Sequence, residues 1–223
     1  MITVSGLSHR VLEIPDLVLP GGRVAVIGPN GGGKTTLLRL LAGIDLPEKG
    51  SVLIDGLPPR SRAVGWVGEE PDRNIIFHRV YDEIASPLRF RNDPCPLVHE
   101  RVKTVAGTLG ISGLLDRETG DLSTGEKVRV ALGAALAAGP DILVLDETDS
   151  NLDQESAGAV EGLIGRASCS HVIRATQRME LAARSDDVLY MERGRVIHFG
   201  TPSAVFAALS GTPFFPPSRV WCR

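Results

Sequence analysis

The sequence has little net charge, few cysteines and no long apolar run, and each of these shortages argues against a class of protein. Its net charge of −3 provides no basic surface for a nucleic acid, so we expect no nucleic-acid partner. The three cysteines are odd in number and far apart, which indicates free thiols in a reducing compartment rather than disulfides or a metal site. They are Cys95, Cys169 and Cys222.

No segment approaches the ~18 apolar residues that a membrane-spanning helix requires. The most apolar stretch, residues 130–139, is short and lies between Arg129 and Pro140. The residues at 1–5 carry neither the basic start nor the apolar stretch of a signal peptide. We therefore expect a soluble chain that reaches a membrane only through a partner protein.

Apolar, β-branched runs alternate with helical patterns along the chain, which indicates an α/β domain. Residues 142–145 are apolar on both faces, as in a central strand of a parallel sheet. Residues 187–191 and 195–199 flank a Glu-Arg-Gly turn and predict a hairpin. Further strands are expected at 24–27, 51–54, 63–67 and 172–175. A helical insertion is expected from about residue 71 to 120, and Pro87, Pro94 and Pro96 are expected to interrupt its helices.

A glycine-rich loop follows the strand expected at 24–27. The segment Gly28–Thr35 has the pattern Gly-x-x-x-x-Gly-Lys-Thr, and apolar residues at helical spacing come after it. Glycines allow successive backbone N–H groups to turn toward one anion, and the start of the helix adds its positive end. In such loops the lysine reaches the β- and γ-phosphates and the hydroxyl binds Mg²⁺. The predicted phosphate-binding residues are Asn30, Gly31, Gly32, Gly33, Lys34, Thr35 and Thr36.

Two carboxylates, Asp146 and Glu147, come directly after the apolar run 142–145. Ligands of open α/β sheets bind at the carboxyl ends of the strands, so both carboxylates are expected beside the phosphate loop. Neighbouring side chains at a strand end can point in different directions. We interpret Asp146 as a Mg²⁺ ligand and Glu147 as the group that faces the attacking water. The alternative is that both simply begin a solvated loop.

Ser123 and Glu126 have the spacing of a capping box ahead of an apolar run at 128–136. The box predicts a helix whose exposed amino-terminal end favours an anion. Taken alone, the motif favours an ordinary capped helix.

Together these segments resemble the ATP-binding cassette (ABC) transporter ATPases over about residues 1–210. The matching segments are Gly28–Thr35, the Leu-Ser-Thr-Gly-Glu run at 122–126, and residues 142–147, 150–153 and 194–202. The run at 122–126 distinguishes the ABC ATPases from other phosphate-loop NTPases, because those proteins lack it. The resemblance implies the α/β fold of the P-loop NTPases in its ABC ATPase form, with a mostly parallel sheet core and an N-terminal antiparallel β part. It also implies one domain at 1–210, with a helical sub-domain inserted at about 71–135, and a tail at 211–223.

The resemblance assigns a role to each residue that matches a family motif. ATP and Mg²⁺ are the expected ligands, and Thr35, Asp146 and Glu69 are the expected metal ligands. Glu147 is the expected general base, and Gln177 and Glu69 occupy the other catalytic positions.

The resemblance also implies a second subunit and a membrane partner. Ser123, Gly125 and Glu126 are expected to bind the γ-phosphate of the ATP that the second subunit holds. Asp153 is expected to bridge the two subunits. The segment 63–81 is expected to contact an integral-membrane permease.

Two departures from the family lie at catalytic positions. Glu69 replaces a glutamine, so it keeps an oxygen ligand but adds negative charge and loses an amide donor. Gln177 replaces a histidine, so it can donate a hydrogen bond but cannot hold a proton near pH 7. His171 lies six residues earlier, roughly 20 Å along a strand at ~3.3 Å per residue, and cannot substitute. We expect nucleotide binding to persist and turnover to be slow.

Smaller departures concern the base and the loops around it. No aromatic residue is present near 7–11 to stack on adenine, which leaves His9 or Val11 to cover the base. The run at 122–126 reads Ser-Thr-Gly-Glu instead of Ser-Gly-Gly-Gln, and Thr148 and Asp149 replace Pro-Thr after Glu147.

The expected function is that of an ATP-binding and ATP-hydrolysing motor subunit that dimerises around two Mg-ATP and drives a permease. The residues at 64–85 look most like cobalt and energy-coupling-factor importer ATPases, which favours uptake of a small solute such as a metal ion or a vitamin. The alternative is a non-transport or hydrolysis-impaired regulatory ATPase of the same fold. The pairing is a homodimer or a mixed pair with a second ABC subunit, and the expected location is cytoplasmic, peripheral on the inner face of the cell membrane.

Overall fold

The computed structural model describes residues 1–150, 152, 154–165 and 169–216. Asn151, Asp153 and Cys222, on which expectations were placed above, lie outside the described residues. The chain divides into two compact units. Unit 1 comprises residues 1–62, 144–147 and 170–223, and unit 2 comprises 63–143 and 148–169.

The strands and helices follow one another in the α/β order that the sequence predicts. The strands are β1 (Ile2–His9), β2 (Leu12–Leu19), β3 (Gly22–Ile27), β4 (Lys49–Ile54), β5 (Val64–Val67), β6 (Ile142–Asp146), β7 (His171–Ala175), β8 (Asp187–Glu192) and β9 (Arg195–Gly200). The helices are α1 (Lys34–Leu41), α2 (Pro71–Asn74), α3 (Val80–Phe90), α4 (Cys95–Thr108), α5 (Thr124–Ala137), α6 (Gln154–Ile164), α7 (Met179–Ala182) and α8 (Pro202–Ala208).

A small antiparallel sheet in unit 1 has the strand order β2-β1-β4. In β2 the residues Leu12 and Ile14 are buried while Glu13 and Pro15 are exposed, which is the alternation of a sheet with one face on the core. This sheet confirms the N-terminal antiparallel part that the family resemblance implies.

A larger, mostly parallel sheet has the strand order β5-β6-β7-β3-β8-β9. Within unit 1, β3 pairs in parallel with β7 and β8, and β9 closes the sheet as the antiparallel hairpin partner of β8. Every residue of β6 and β7 is buried; β6 is apolar up to Asp146, whereas β7 also buries the polar side chains of His171 and Arg174. The parallel pairing brings the carboxyl ends of β3 and β7 to one edge, and the phosphate loop begins at that edge.

Unit 2 is mainly helical, with α2 to α6 and the strand β5. The amides of Asp141 and Ile142 donate to the carbonyl of Ala63, so within this unit the start of β6 lies beside β5. The predicted limits of a helical sub-domain, about 71–135, and of a tail at 211–223 stay predictions. No helix in the described part of the chain is both long and apolar enough to cross a membrane.

Pro87 corrects one expectation, because it lies inside α3 and does not end it. A proline has no N–H for the carbonyl four residues earlier, here that of Glu83. The hydroxyl of Ser86 donates to that carbonyl at 2.8 Å instead, so the helix continues to Phe90 with the acceptor satisfied. Pro94 and Pro96 do stand at the start of α4, as expected.

Candidate functional site

The glycine-rich loop joins β3 to α1 and presents the amino-terminal end of that helix. Gly33 caps α1 with a left-handed backbone, φ 99°, and Gly31 is also left-handed at φ 74°. The first N–H groups of a helix lack partners within the helix, so an anion is favoured there. No atom lies within 4 Å of the position that a Cβ on Gly31 would take, so the loop is open on that side. This cradle fits a phosphate group.

Two neighbouring segments of unit 1 hold the loop in shape. A Cβ on Gly28 would lie 2.0 Å from the carbonyl oxygen of Met191, and a Cβ on Gly33 would lie 2.6 Å from Cδ2 of Leu12. The amide of Gly194 donates to the carbonyl of Gly32 at 3.0 Å. The hairpin β8–β9 and the start of β2 therefore crowd the loop at Gly28 and Gly33.

Lys34 is almost fully buried, with 5% of its surface exposed, and oxygen atoms surround its ammonium group. Its Nζ donates to the carbonyls of Gly28 at 3.0 Å and Pro29 at 3.3 Å, and it lies 3.2 Å from Oε1 of Glu147. Burying an ammonium is costly unless it has such partners. These oxygen atoms hold the Lys34 side chain at the phosphate cradle.

Thr35 and Asp146 bring two oxygen ligands together. The Thr35 hydroxyl, at the start of α1, donates to Oδ1 of Asp146, at the end of β6, at 3.2 Å. Among the described residues no group of three or more His, Cys, Asp or Glu side chains could hold a metal ion by itself. Mg²⁺ characteristically takes one or two protein oxygens and completes its shell with phosphate and water oxygens. This hydroxyl and carboxylate fit that pattern.

Glu147 follows the end of β6 in a left-handed backbone conformation, φ 47°. A non-glycine residue in that region is uncommon and is maintained by its surroundings. Its N–H donates to the carbonyl of Ala175 at 3.1 Å, and its Oε1 accepts from Nε2 of Gln177 at 3.0 Å. The backbone turn separates the direction of Glu147 from that of Asp146, as expected for a strand end.

Gln177 follows the end of β7 and connects two parts of the site. Its Nε2 donates to Oδ1 of Asn30 at 2.9 Å and to Oε1 of Glu147. His171 begins β7, at the other end of the strand, and burial lowers its pKa. The sequence did predict that His171 could not take the place of Gln177, but no spacing rule indicated that Gln177 would pair with Asn30.

The two residues that were expected to cover the base lie at the end of β1 (His9) and in the turn that follows it (Val11). His9 is buried, with Nδ1 3.5 Å from Oε1 of Glu48, whereas Val11 has 60% of its surface exposed. The amide of Arg10 donates to the same Glu48 oxygen at 3.2 Å, which fixes the turn. Val11 is therefore the residue of the two whose side chain is available to a ligand.

A second group of expected site residues lies in unit 2, at the start of α5. Ser123 caps this helix, its N–H and hydroxyl each donate to Oε2 of Glu126 at 2.8 Å, and the capping box is complete. The amide of Ser123, followed by its hydroxyl, lowers the pKa of the Glu126 carboxyl. Gly125 lies in the first turn of the same helix. The capped helix that the sequence predicts is confirmed.

The remaining expected residues are divided between exposed and buried positions. Glu69 is exposed and follows β5 in unit 2. Thr148 and Asp149, which replace the usual residues after Glu147, are buried. Of the expected site, the structure thus brings together Lys34, Thr35, Asp146, Glu147 and Gln177 with the phosphate loop in unit 1.

Comparison with known proteins gives consistent matches. A family model described as ABC transporter matches residues 17–150. The energy-coupling factor transporter ATP-binding protein EcfA1 of Halalkalibacterium halodurans is 34% identical over 207 residues, covering 88% of this chain and 74% of the relative. The lipoprotein-releasing system ATP-binding protein LolD of Chromohalobacter salexigens is 34% identical over 201 residues, covering 83% and 84%. The solved structure of cbiO1 from Clostridium perfringens, part of the complex cbiONQ, matches with a TM-score of 0.81 at 28% identity, covering 92% and 90%.

Proposed function

The chain belongs to the ATP-binding subunits of ABC transporters, and we propose that its own residues bind and hydrolyse ATP in a homodimer that drives a permease for uptake of a small solute. ATP binding and hydrolysis coupled to transport belong to the family. The roles of single residues, the metal, the pairing and the direction of transport are part of the proposal. The observation that carries it is the set of contacts that joins Lys34, Glu147 and Gln177 beside the phosphate cradle.

The phosphate loop binds the triphosphate. The amides at the start of α1 face the phosphate oxygens, and Lys34 supplies a buried positive charge. In the structure this charge is shared among two carbonyls and Glu147. A phosphate oxygen is a stronger partner for the ammonium than a neutral carbonyl, so ATP competes favourably for it.

Thr35 and Asp146 would hold Mg²⁺ through their oxygen atoms. The ion would supply positive charge that stabilises the negative charge of the phosphate groups. Asp146 lies at the buried end of β6, which keeps its carboxylate in one place. Glu69 is a further oxygen ligand in the proposal, and its negative charge weakens the attraction for the γ-phosphate.

Glu147 accepts the proton of the attacking water. Its Oε1 is occupied by Gln177 and Lys34, so the carboxylate is oriented by two donors. Such orientation lets a general base act without reorganising during the reaction. Hydrolysis then yields ADP and phosphate, with the water proton on the carboxylate.

Gln177 accounts for slow turnover in this proposal. The amide orients Glu147 and Asn30, but it cannot gain or hold a proton near pH 7 as the histidine at this position can. Loss of one such group commonly costs about 10² to 10³ in rate. A regulatory ATPase that hydrolyses little is the second candidate function, and this substitution is the observation that favours it.

Ser123, Gly125 and Glu126 bind the ATP of the second subunit. The amino-terminal end of α5 offers N–H groups to an anion, as the phosphate loop does. The Ser123 hydroxyl already donates to Glu126, so phosphate binding requires this hydroxyl to exchange one oxygen partner for another.

An apolar surface of unit 2 is the proposed permease contact. Ile76 has 75% of its surface exposed and Phe90 has 73%, and the ring of Phe77 lies 6.4 Å from that of Phe90. Exposed apolar side chains that lie close together mark interaction surfaces, and here the exposed Phe90 lies beside the half-buried Phe77. Ile76 and Phe77 lie within the segment 63–81, to which the family resemblance assigns the contact with the permease. EcfA1 and cbiO1 among the relatives support an importer, while LolD indicates that related sequences serve other transporters.

The test combines one substitution with purification from membranes. Glu147→Gln keeps the shape and the acceptor oxygen but removes the base, so ATPase activity is expected to fall by about 10² or more while the affinity for ATP is retained. Glu100→Gln, on the exposed surface of α4, is the matched control and is expected to hydrolyse ATP like the wild type. An affinity-tagged chain is expected to co-purify an integral-membrane subunit. Unchanged hydrolysis in Glu147→Gln would remove the proposed base, and absence of any membrane subunit would favour the regulatory ATPase.

A further inference from the structure

The loop at 76–79, between α2 and α3 in unit 2, has exposed side chains but a firmly held backbone. Although Ile76 is largely exposed, its N–H and that of Phe77 both donate to Oε2 of Glu83, each at 2.8 Å. Glu83 has only 3% of its surface exposed. Hydrogen bonds from two amides to one buried carboxylate are charge-assisted and geometrically specific. One side of the loop is therefore fixed by α3.

Thr119 fixes the other side of the same loop. Its hydroxyl donates to the carbonyl of Phe77 at 2.9 Å, and its amide donates to the carbonyl of His78 at 2.8 Å. Thr119 is itself buried, with 7% of its surface exposed. The backbone of Phe77 is thus bound through its N–H by Glu83 and through its carbonyl by Thr119.

The segment around Thr119 also supplies hydrogen-bond acceptors for the first amides of α3. The amide of Val80 donates to the carbonyl of Arg117 at 3.1 Å, and that of Tyr81 donates to the carbonyl of Leu115 at 3.0 Å. Helices have no internal partners for these first amides, so the bonds are needed and are costly to break. Residues 76–81 and 115–119 are therefore joined by several backbone hydrogen bonds. Ser123 follows Thr119 by four residues and caps α5.

We propose that Glu83 and Thr119 are positioning residues for the Ser123 loop. They connect the exposed Ile76 and the half-buried Phe77 to the segment that enters α5, so a permease that binds this loop also sets the position of Ser123. Neither Glu83 nor Thr119 touches nucleotide in this arrangement. The inference rests on the proposed function, in which Ser123 binds the ATP of a second subunit.

A purely structural role predicts a different result from a positioning role. If Glu83 and Thr119 only stabilise unit 2, their removal lowers the melting temperature and leaves ATP-driven dimerisation of the folded protein unchanged. If they position Ser123, dimerisation weakens in protein that is still folded and still binds ATP, because ATP binding to one subunit uses the phosphate loop of unit 1.

The experiment uses the purified chain carrying Glu147→Gln, which is expected to bind ATP without hydrolysing it. Dimerisation on addition of Mg-ATP is measured by analytical ultracentrifugation, and the affinity of the monomer for ATP by a fluorescent ATP analogue. Adding Thr119→Val is expected to weaken dimerisation by about 10-fold or more and to change the affinity for the analogue by less than about 2-fold. Adding Thr119→Ser keeps the hydroxyl and is expected to restore dimerisation.

The matched control is Thr104→Val, which removes a hydroxyl that bonds within α4 to the carbonyl of Glu100. It is expected to dimerise like the parent. Glu83→Gln is expected to behave like Thr119→Val, and if it fails to fold, the Thr119→Val and Thr119→Ser pair is sufficient. Dimerisation equal to the parent in Thr119→Val would overturn the inference. A parent that binds the analogue but never dimerises would instead overturn the proposed homodimer, and the inference with it.

Discussion

The phosphate loop in unit 1 and the Ser123 loop in unit 2 are both amino-terminal ends of helices, yet they are held in opposite ways. The phosphate loop is enclosed by main-chain atoms of Met191 and Gly194 and by the side chain of Leu12. At the Ser123 loop one side chain, that of Glu126, accepts hydrogen bonds from both the amide and the hydroxyl of Ser123. A site enclosed by backbone is preorganised, whereas one held by a few side chains can change position at low cost.

The largest expected effect is a loss of stability when a methyl group is added where the phosphate loop packs against Met191. Gly28→Ala places a methyl group 2.0 Å from the carbonyl of Met191 on a left-handed backbone, so we expect a loss of about 3 kcal/mol or more in the free energy of unfolding. Gly31→Ala has the left-handed backbone but open space, and is expected to lose only about 1 kcal/mol. Urea unfolding of the two variants checks this difference, and equal losses would contradict an enclosed wall.

The next effect concerns the rate of hydrolysis. Gln177→His introduces a group that titrates near pH 7 next to Glu147 and Asn30, so kcat is expected to rise by about 10-fold to 10²-fold with little change in KM. Steady-state ATPase assays check it, with Gln177→Ala as the control that removes both hydrogen bonds and is expected to lose activity. If the kcat of Gln177→His does not rise, Gln177 is not the cause of slow turnover.

A smaller effect is expected at the Ser123 loop. Ser123→Ala removes the cap of α5 and is expected to destabilise the protein by about 1 kcal/mol. For a chain of this size that corresponds to roughly 2–4 °C in melting temperature. Ser123→Thr keeps the hydroxyl and is the control. A melting temperature in Ser123→Ala as low as that of Gly28→Ala would contradict the contrast between the two loops.

The smallest effect is a pH dependence of stability. Because the Ser123 amide and hydroxyl hold the pKa of Glu126 below its unfolded value, this carboxylate stabilises the fold above that value, about 4.3, and the contribution is lost as the pH falls through the folded pKa. Unfolding measured at pH 7 and near pH 3 is therefore expected to differ less in Glu126→Gln than in the wild type. An identical pH dependence in both proteins would show that Glu126 is not linked to folding.

The sequence predicted the parts of the site that local chemistry determines. The loop at Gly28–Thr35, the buried strand before Asp146 and the capping box at Ser123 each depend on a few adjacent residues, and all lie where they were expected. The pairing of Gln177 with Asn30 joins residues far apart in sequence, so only the fold reveals it. The same holds for Glu83, whose buried carboxylate looks like an ordinary helix residue until its two amide partners are seen. Pro87 was misinterpreted because a single hydroxyl compensates for its missing donor.

The enclosure of the phosphate loop has a consequence for synthesis of the protein. The loop occupies residues 28–33, but the atoms that wall it in belong to residues 191 and 194, near the other end of the chain. A ribosome that makes about 5–20 residues per second must add roughly 160 more residues before the nascent loop meets this wall. The emerging chain therefore acquires its nucleotide-binding shape late, and a truncated product that ends before the β8–β9 hairpin is expected to retain the motif without its function.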